Sequence, residues 1–122
     1  MNIAIIGASK DRTKFGNKAL RAYMSYNNTK AFPVNPNERE IENVKCYSSV
    51  LEIPDTIDAA SLYVPPEVGI KIVDDLIKKG VRKVYLNPGT ESPELIKKLK
   101  DNSIEPIVAC SIKAIGADPN KL

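Results

Sequence analysis

The sequence Ile3-Ala-Ile-Ile-Gly-Ala-Ser9 runs directly into Lys10-Asp-Arg-Thr-Lys-Phe-Gly16 near the start of the chain. An apolar run this short that ends at a glycine predicts a buried strand over residues 2–6. Gly7 would allow the backbone to turn sharply and a ligand to approach it closely. Because helical spacing of apolar residues begins after Gly16, the stretch predicts a strand, a polar loop and a helix in succession.

The start of this predicted helix is a candidate anion-binding site. Backbone N–H groups are unpaired at a helix N-terminus, and the helix dipole favours negative charge there. Lys10, Arg12 and Lys14 add cations to the same loop. The motif does not match G-x-G-x-x-G, because position 9 is Ser and the next glycine is Gly16. An ordinary strand-to-helix turn therefore stays open as an alternative on the loop alone.

Size and composition restrict the classes of protein to consider. The chain has 122 residues and a formal charge of +3, from 18 basic and 15 acidic residues, and its length predicts one domain over 1–122. So small a charge does not indicate nucleic-acid binding, and no apolar run approaches the roughly 20 residues that span a bilayer. The predicted first strand leaves no room for a signal peptide, and two cysteines suggest no disulfide framework. We expect a cytoplasmic protein without nucleic-acid or membrane partners.

The chain contains no histidine. This absence excludes Ser–His and Cys–His nucleophile pairs and removes the commonest metal ligand. Cys46 and Cys110 lie too far apart in the sequence to indicate a zinc site. Glu67 and Glu91 follow turns and could act as carboxylate bases, but each is better interpreted as a charge that the dipole favours at a helix N-terminus. We expect no catalytic residue and no metal.

Strand and helix patterns alternate through the rest of the chain. Strands are predicted over residues 30–34, 44–47, 57–64, 81–86 and 104–109, and helices over residues 16–26 and after Pro66 and Pro93. Pro106 in the last strand favours a sheet edge. This alternation predicts an α/β fold of three α/β/α layers around a five-stranded parallel sheet, in the strand order 3-2-1-4-5.

Ligands of such sheets bind at the carboxyl ends of the strands, where the strand order reverses. Four turns leave the predicted strands at that edge, and all are rich in Gly, Pro or Asn. They are Gly7-Ala8-Ser9, Asn35-Pro36, Val64-Pro65-Pro66 and Asn87-Pro88-Gly89. Their backbone groups would be available to a ligand.

The second of these turns bears on the choice of nucleotide. An NAD site usually carries Asp or Glu at the end of the second strand, to bind the ribose hydroxyls. This chain has Asn35 and Pro36 there, and Glu38 lies beyond the turn. The missing acid and the basic loop favour a ligand that carries more phosphate. An NADP site stays open as an alternative, because a nearby cation could bind a 2′-phosphate.

Several motifs, in this order, resemble one known family. They are Ile5-Ile6-Gly7-Ala8-Ser9, Lys14-Phe15-Gly16, Pro33-Val34-Asn35-Pro36, Val44-Lys45-Cys46-Tyr47, Val64-Pro65-Pro66 and Leu86-Asn87-Pro88-Gly89. Together they resemble the small stand-alone CoA-binding domain proteins, a family similar to the N-terminal domain of the succinyl-CoA synthetase α subunit. The resemblance covers essentially the whole chain. Each motif alone is loose, whereas the full set at this spacing is specific.

The resemblance implies a Rossmann-like domain that binds coenzyme A (CoA) or an acyl-CoA. It implies that Gly7, Ala8, Ser9, Lys14 and Gly16 line the pyrophosphate and 3′-phosphate, and that Asn35 and Pro36 border the adenosine. It also implies that Val64, Pro65, Pro66, Asn87 and Gly89 flank the ligand across the reversal point. The candidate site is completed by Lys10, Arg12, Phe15, Pro88 and Cys110.

The chain departs from the family pattern in two places. The family often has Gln where this chain has Asn87, and it often ends in Arg-Cys-Pro-Lys where this chain reads Ala109-Cys110-Ser111-Ile112-Lys113. The cysteine and lysine match, but the arginine and proline do not. The phosphorylated histidine of the synthetase likewise has no counterpart here.

Two candidate residues have competing interpretations. Phe15 is expected to pack at the start of the inner face of the first helix, as a core residue more than a ligand contact. Cys110 could form a mixed disulfide with the CoA thiol under oxidation, because it follows the last strand. The favoured interpretation of Cys110 is a small buried residue that fills space.

The sequence thus favours reversible, non-catalytic binding of CoA or an acyl-CoA. A second hypothesis is an enzyme component, either an NAD(P)-dependent oxidoreductase module or a subunit that lends CoA to a ligase partner. A third is a redox or acyl-CoA sensor that acts through a protein partner.

Overall fold

The computed structural model describes all 122 residues, in which strands and helices alternate. The strands are β1 (Asn2–Ile6), β2 (Lys30–Val34), β3 (Glu40–Ile41), β4 (Val44–Lys45), β5 (Ala59–Leu62), β6 (Lys83–Leu86) and β7 (Glu105–Val108). The helices are α1 (Phe15–Met24), α2 (Pro66–Lys79), α3 (Pro93–Asp101) and α4 (Ser111–Ala114), with 3₁₀ turns at Val50–Glu52 and Pro119–Lys121. No helix combines the length and the apolar character needed to cross a bilayer.

The main sheet has five parallel strands in the order β2-β1-β5-β6-β7. Beyond β2, Tyr47 makes an isolated parallel bridge with Val34. If this short segment is counted as the third strand, then it, β2, β1, β5 and β6 follow the predicted order 3-2-1-4-5. β7, which contains Pro106, lies beyond β6 at the far edge of the sheet. The chain winds in one direction from β1 and in the other from β5, so the reversal point lies between these two strands.

One part of the prediction is wrong. Residues 44–47 do not form a single parallel strand, because β4 pairs antiparallel with β3 in a separate hairpin. Its two turn residues, Glu42 and Asn43, have φ values of 51° and 63°. Two central residues with positive φ are typical of the tight turn that joins hairpin strands.

Apolar side chains cover both faces of the sheet, as the continuous apolar strands predict. Ile3 and Ile5 face a cluster that includes residues of α1 and α4. Ala4 and Ile6, with the alternate pleat, face a larger cluster that includes residues of α2 and α3. The result is the predicted three-layer, Rossmann-like arrangement.

The helix boundaries follow local sequence signals. Pro66 begins α2, and Gly80 ends it in the left-handed conformation at φ 80°. The Ser92 hydroxyl accepts a hydrogen bond from the Leu95 N–H at the start of α3. Pro66 and Ser92 thus fix where α2 and α3 begin, and therefore where the turns before these helices meet the sheet edge.

Candidate functional site

The turns at the carboxyl edge surround a cleft of about 330 Å³, here called the central cleft. Gly7, Lys14 and Gly16 line one side of it. The opposite side consists of residues that follow β5 and β6, among them Val64, Pro65, Pro88 and Gly89. The central cleft therefore lies at the reversal point between β1 and β5.

The loop after β1 packs closely against its neighbours. Gly7 has φ 89°, and a Cβ placed on it would lie 2.5 Å from the Tyr63 carbonyl oxygen. Its N–H donates to the Val34 carbonyl at 3.0 Å. These contacts require glycine at position 7, and they bring the loop against the ends of both β2 and β5.

The three loop cations are not equivalent. Lys10 pairs with Glu38 at 3.0 Å, and Arg12 pairs with Glu42 at 3.5 Å. Lys14 forms no ion pair and lines the central cleft. Of the cations that the sequence singles out, Lys14 is thus the one whose charge faces the cleft uncompensated by a paired carboxylate.

Side chains within the loop hold its shape. The Ser9 hydroxyl accepts from the Asp11 N–H at 3.0 Å, and the Asp11 carboxylate accepts from the Thr13 hydroxyl at 2.6 Å. The Thr13 hydroxyl and N–H, with Lys14 nearby, hold the pKa of Asp11 below its usual value. Asp11 therefore orders the loop as an ionised carboxylate. A lowered pKa does not suit it to proton transfer near neutral pH.

Asn17 is a positioning residue that the sequence analysis missed. It is fully buried, and its amide donates to the Ser9 carbonyl at 2.8 Å and to the Glu42 carboxylate at 3.1 Å. Its Oδ1 accepts from Arg21 Nε at 2.7 Å. A polar residue on the otherwise apolar inner face of α1 was the available signal.

A second cavity, of about 380 Å³, lies on the β2 side of the loop and is here called the β2-side cavity. Asn35 and Pro36 line it, as do the unpredicted residues Ser48 and Ser49. The Asn35 amide donates to the Ala8 carbonyl at 2.8 Å, and its Oδ1 accepts from the Asn37 N–H. The Asn35 side chain thus braces the first loop, while its neighbours form the wall.

A third cavity, of about 260 Å³, lies toward β7 and is here called the β7-side cavity. Phe15, Tyr63 and Pro88 line both this cavity and the central cleft, so the two adjoin. Cys110 and Lys113 line its far side. Gly7 and Val64 similarly join the central cleft to the β2-side cavity. The three cavities together form one continuous depression along the carboxyl edge.

Phe15 is not a core residue, which corrects the expectation from the sequence. Its side chain is 55% exposed and lines two of the cavities. The inner face of α1 begins one residue later, because Gly16 packs against the loop and a Cβ there would lie 2.5 Å from the Gly7 carbonyl oxygen. This contact leaves the ring of Phe15 at the mouth of the depression.

A buried polar network lies beneath the β7-side cavity. The Asn87 amide donates to the Ser61 hydroxyl and the Leu62 carbonyl, both at 2.8 Å, and its Oδ1 accepts from the Ser111 N–H at 2.9 Å. The Ser111 hydroxyl lies 2.7 Å from that of Ser61 and 3.0 Å from that of Tyr63. The side chain of Asn87, which follows β6, therefore links the end of that strand to β5 and to α4.

Two tyrosines in this region have raised pKa values. Tyr23 donates to the Ser111 carbonyl at 2.7 Å, and burial raises its pKa. Burial also raises the pKa of Tyr63, although its hydrogen bond to Ser111 opposes the shift. Both phenols therefore stay protonated at neutral pH and act as hydrogen-bonding groups.

Not all of the candidate residues line the depression. Five of them line none of the three cavities: Ala8, Ser9, Lys10, Arg12 and Pro66. Cys110 is half-buried at the β7-side cavity, and Cys46 is buried in the core, where burial raises its pKa. Glu67 lies in the first turn of α2, and the Glu91 carboxylate accepts from the Gly89 N–H at 3.0 Å.

Comparison with known proteins identifies the family. A family model described as a CoA binding domain matches residues 1–116. The chain belongs to this family. The chain is also 42% identical over 81 residues to an ADP-forming acetate–CoA ligase of Methanocaldococcus jannaschii. This match covers 66% of this chain and 11% of the ligase. The chain thus spans about a ninth of the length of that relative.

Solved structures share the fold of this CoA-binding domain. A conserved hypothetical protein from Pyrococcus furiosus matches with a TM-score of 0.85 and 37% identity, over 93% of this chain and 97% of that one. A dinucleotide-forming acetyl-coenzyme A synthetase from Ca. Korarchaeum cryptofilum, in complex with phosphate and ADP, matches with a TM-score of 0.77 and 30% identity. That match covers 88% of this chain and 25% of the synthetase chain. The same fold thus occurs in a chain of similar size and as part of a longer one.

Proposed function

We propose that residues 1–122 act as a single domain that binds CoA or an acyl-CoA reversibly and catalyses no reaction by itself. The observation that carries this proposal is the position of Lys14. It is a cation without an ion pair, at the N-terminus of α1, in the middle of a depression that extends to both sides. An extended ligand with phosphates near its centre fits that arrangement.

The depression suggests how the ligand would lie. The pyrophosphate would sit in the central cleft, near Lys14 and the N–H groups at the start of α1. The adenosine would enter the β2-side cavity, because nucleosides in this class of sheet lie beside the end of the second strand. Aliphatic side chains such as Val64, Val68 and Ile72 would contact the base there. The pantetheine arm would then run past Phe15 and Tyr63 into the β7-side cavity.

The acid–base groups of the depression support a binding role. Among the residues that line the three cavities, Asp75 in the β2-side cavity is the one carboxylate. General acid–base chemistry on a thioester would need a group near the β7-side cavity, and Tyr63 there has a pKa raised further from neutrality. Two carboxylates close in sequence to the lining of that cavity are engaged in the protein: Glu91 accepts from the Gly89 N–H, and Asp118 accepts from the Asn120 N–H.

A second candidate function is that of a component of a CoA ligase, with CoA presented to a separate catalytic polypeptide. The comparisons favour it, because the matched relatives include ADP-forming ligases of which this chain spans a small part. This hypothesis shares the binding step with the first and differs in requiring a protein partner.

Calorimetric titration of the purified protein with CoA, dephospho-CoA, NAD and NADP tests the proposal. We expect saturable binding of CoA, weaker binding of dephospho-CoA, and little heat from either dinucleotide. Tight binding of NAD or NADP without a response to CoA would overturn the proposal. The protein incubated alone with ATP, acetate and CoA should form no acetyl-CoA, and formation of the thioester would refute the non-catalytic role.

A further inference from the structure

We propose that the β7-side cavity accommodates a short acyl group that ends in a carboxylate, and that Lys113 binds this carboxylate. The inference rests on the proposed binding of CoA, and it specifies which acyl-CoA class the domain prefers. The cavity is the smallest of the three, at about 260 Å³, and it lies at the end of the depression opposite to the proposed adenosine site. It is therefore where the thiol end of the ligand, with any acyl group, would arrive.

The lining of the cavity matches such a group. Phe15, Tyr63 and Pro88 present apolar surface where the cavity joins the central cleft. This surface suits the methylene groups of the pantetheine arm and of a short acyl chain. Lys113 is the only charged residue in the lining of this cavity. The single positive charge in the lining therefore complements an occupant with an anionic end.

The ammonium group of Lys113 has no competing partner in the protein. The five ion pairs of the structure involve other residues, and the Lys113 side chain makes no hydrogen bond. The side-chain amide of Asn120, which also lines the cavity, likewise makes no hydrogen bond within the protein and could donate to the same carboxylate. Two donors without a partner in the protein therefore line the same cavity.

The backbone that carries Lys113 is firmly held. Ser111, two residues earlier, donates its N–H to Asn87 and accepts from the Tyr23 hydroxyl through its carbonyl. After α4, the Ala117 N–H donates to the Ile112 carbonyl at 3.2 Å. The polar network thus fixes the backbone position of Lys113 beside the cavity.

Binding measurements with two acyl-CoA molecules of nearly the same shape test the proposal. Malonyl-CoA ends in a carboxylate, whereas acetoacetyl-CoA has a methyl ketone in its place. We expect the wild-type protein to bind malonyl-CoA about three- to tenfold more tightly, as for a charge-assisted bond that is partly exposed to water. In Lys113→Gln this preference should fall below about twofold, and in the control Lys121→Gln, which alters a cation outside the cavity, it should persist.

Each alternative outcome has a distinct meaning. Equal affinities for the two acyl-CoAs in the wild type, with CoA itself still bound, would overturn the acyl proposal and leave the proposed function standing. If Lys113→Gln weakened CoA as much as malonyl-CoA, Lys113 would bind a phosphate of the ligand, and the proposal would be wrong. No binding of CoA at all would instead refute the proposed function. Circular dichroism and thermal unfolding of both variants would show whether the fold is retained.

Discussion

Gly16 lies so close to Gly7 that a Cβ on Gly16 would be 2.5 Å from the Gly7 carbonyl oxygen. The first turn of α1 therefore packs directly on the backbone of the loop that precedes it. In the proposed complex, the N–H groups of this first helical turn would donate to a phosphate in the central cleft. The two glycines, nine positions apart, thus act together although no G-x-G-x-x-G motif is present.

We predict that Gly16→Ala destabilises the protein by about 1–3 kcal/mol, because the new methyl group meets backbone atoms that cannot move aside easily. It should also weaken CoA binding by shifting the loop. Gly69→Ala in α2 is the matched control, since its Cβ would meet the flexible Leu95 side chain at 3.1 Å. Urea denaturation should show a smaller loss for Gly69→Ala, and equal losses would contradict the close-packing argument.

Local signals made much of the fold predictable from the sequence. The apolar run before Gly7, the spacing in α1, and the caps at Ser92 and Gly80 are short-range features, and each has the expected counterpart. Alternation of such elements leaves few topologies, which is why the parallel strand order could be inferred. The hairpin of β3 and β4 escaped prediction because its turn residues, Glu42 and Asn43, include no glycine.

The residues that shape the site were harder to infer. Asn17 and Ser111 act through partners distant in the sequence, as in the bond from Ser111 to Asn87, 24 residues away. No local pattern encodes such pairs. Composition alone did not distinguish Lys14 from the loop cations Lys10 and Arg12, because their pairing with Glu38 and Glu42 depends on the folded chain. Only the family resemblance placed Lys14, and neither of the other two, at the phosphates.

We predict that Lys14→Met weakens CoA binding about tenfold, near the lower end of the range for a hydrogen bond to a charged group. Lys10→Met is the control, because Lys10 is paired with Glu38 and lines none of the three cavities. Calorimetric titration at two salt concentrations should show a weaker salt dependence for Lys14→Met. If both variants bound CoA as the wild type does, the proposed location of the phosphates would be wrong.

We predict that Asn87→Ala lowers the free energy of unfolding by about 2–4 kcal/mol. The change leaves the buried Ser111 N–H without its acceptor and removes the donor to the Leu62 carbonyl, and each buried unsatisfied group costs about 1–3 kcal/mol. Asn102→Ala is the control, since that exposed amide bonds only to the Lys98 carbonyl within its own helix. A loss in Asn87→Ala no larger than that in the control would show that the network contributes little to stability.

We predict that the protein loses stability in alkaline solution and that Tyr63, together with the buried Tyr23, contributes to this loss. The pKa of Tyr63 is raised in the folded state above the usual 10.0, so above that pH the unfolded chain releases a proton that the folded chain retains. The free energy of unfolding should therefore be unaffected by this group below about pH 9 and should fall as the pH rises past about 10. Tyr63→Phe should reduce the steepness of this fall, and Tyr26→Phe, at an exposed position, serves as the control. Urea denaturation between about pH 8 and pH 11 measures the effect, and an identical pH dependence in wild type and Tyr63→Phe would show that Tyr63 does not cause it.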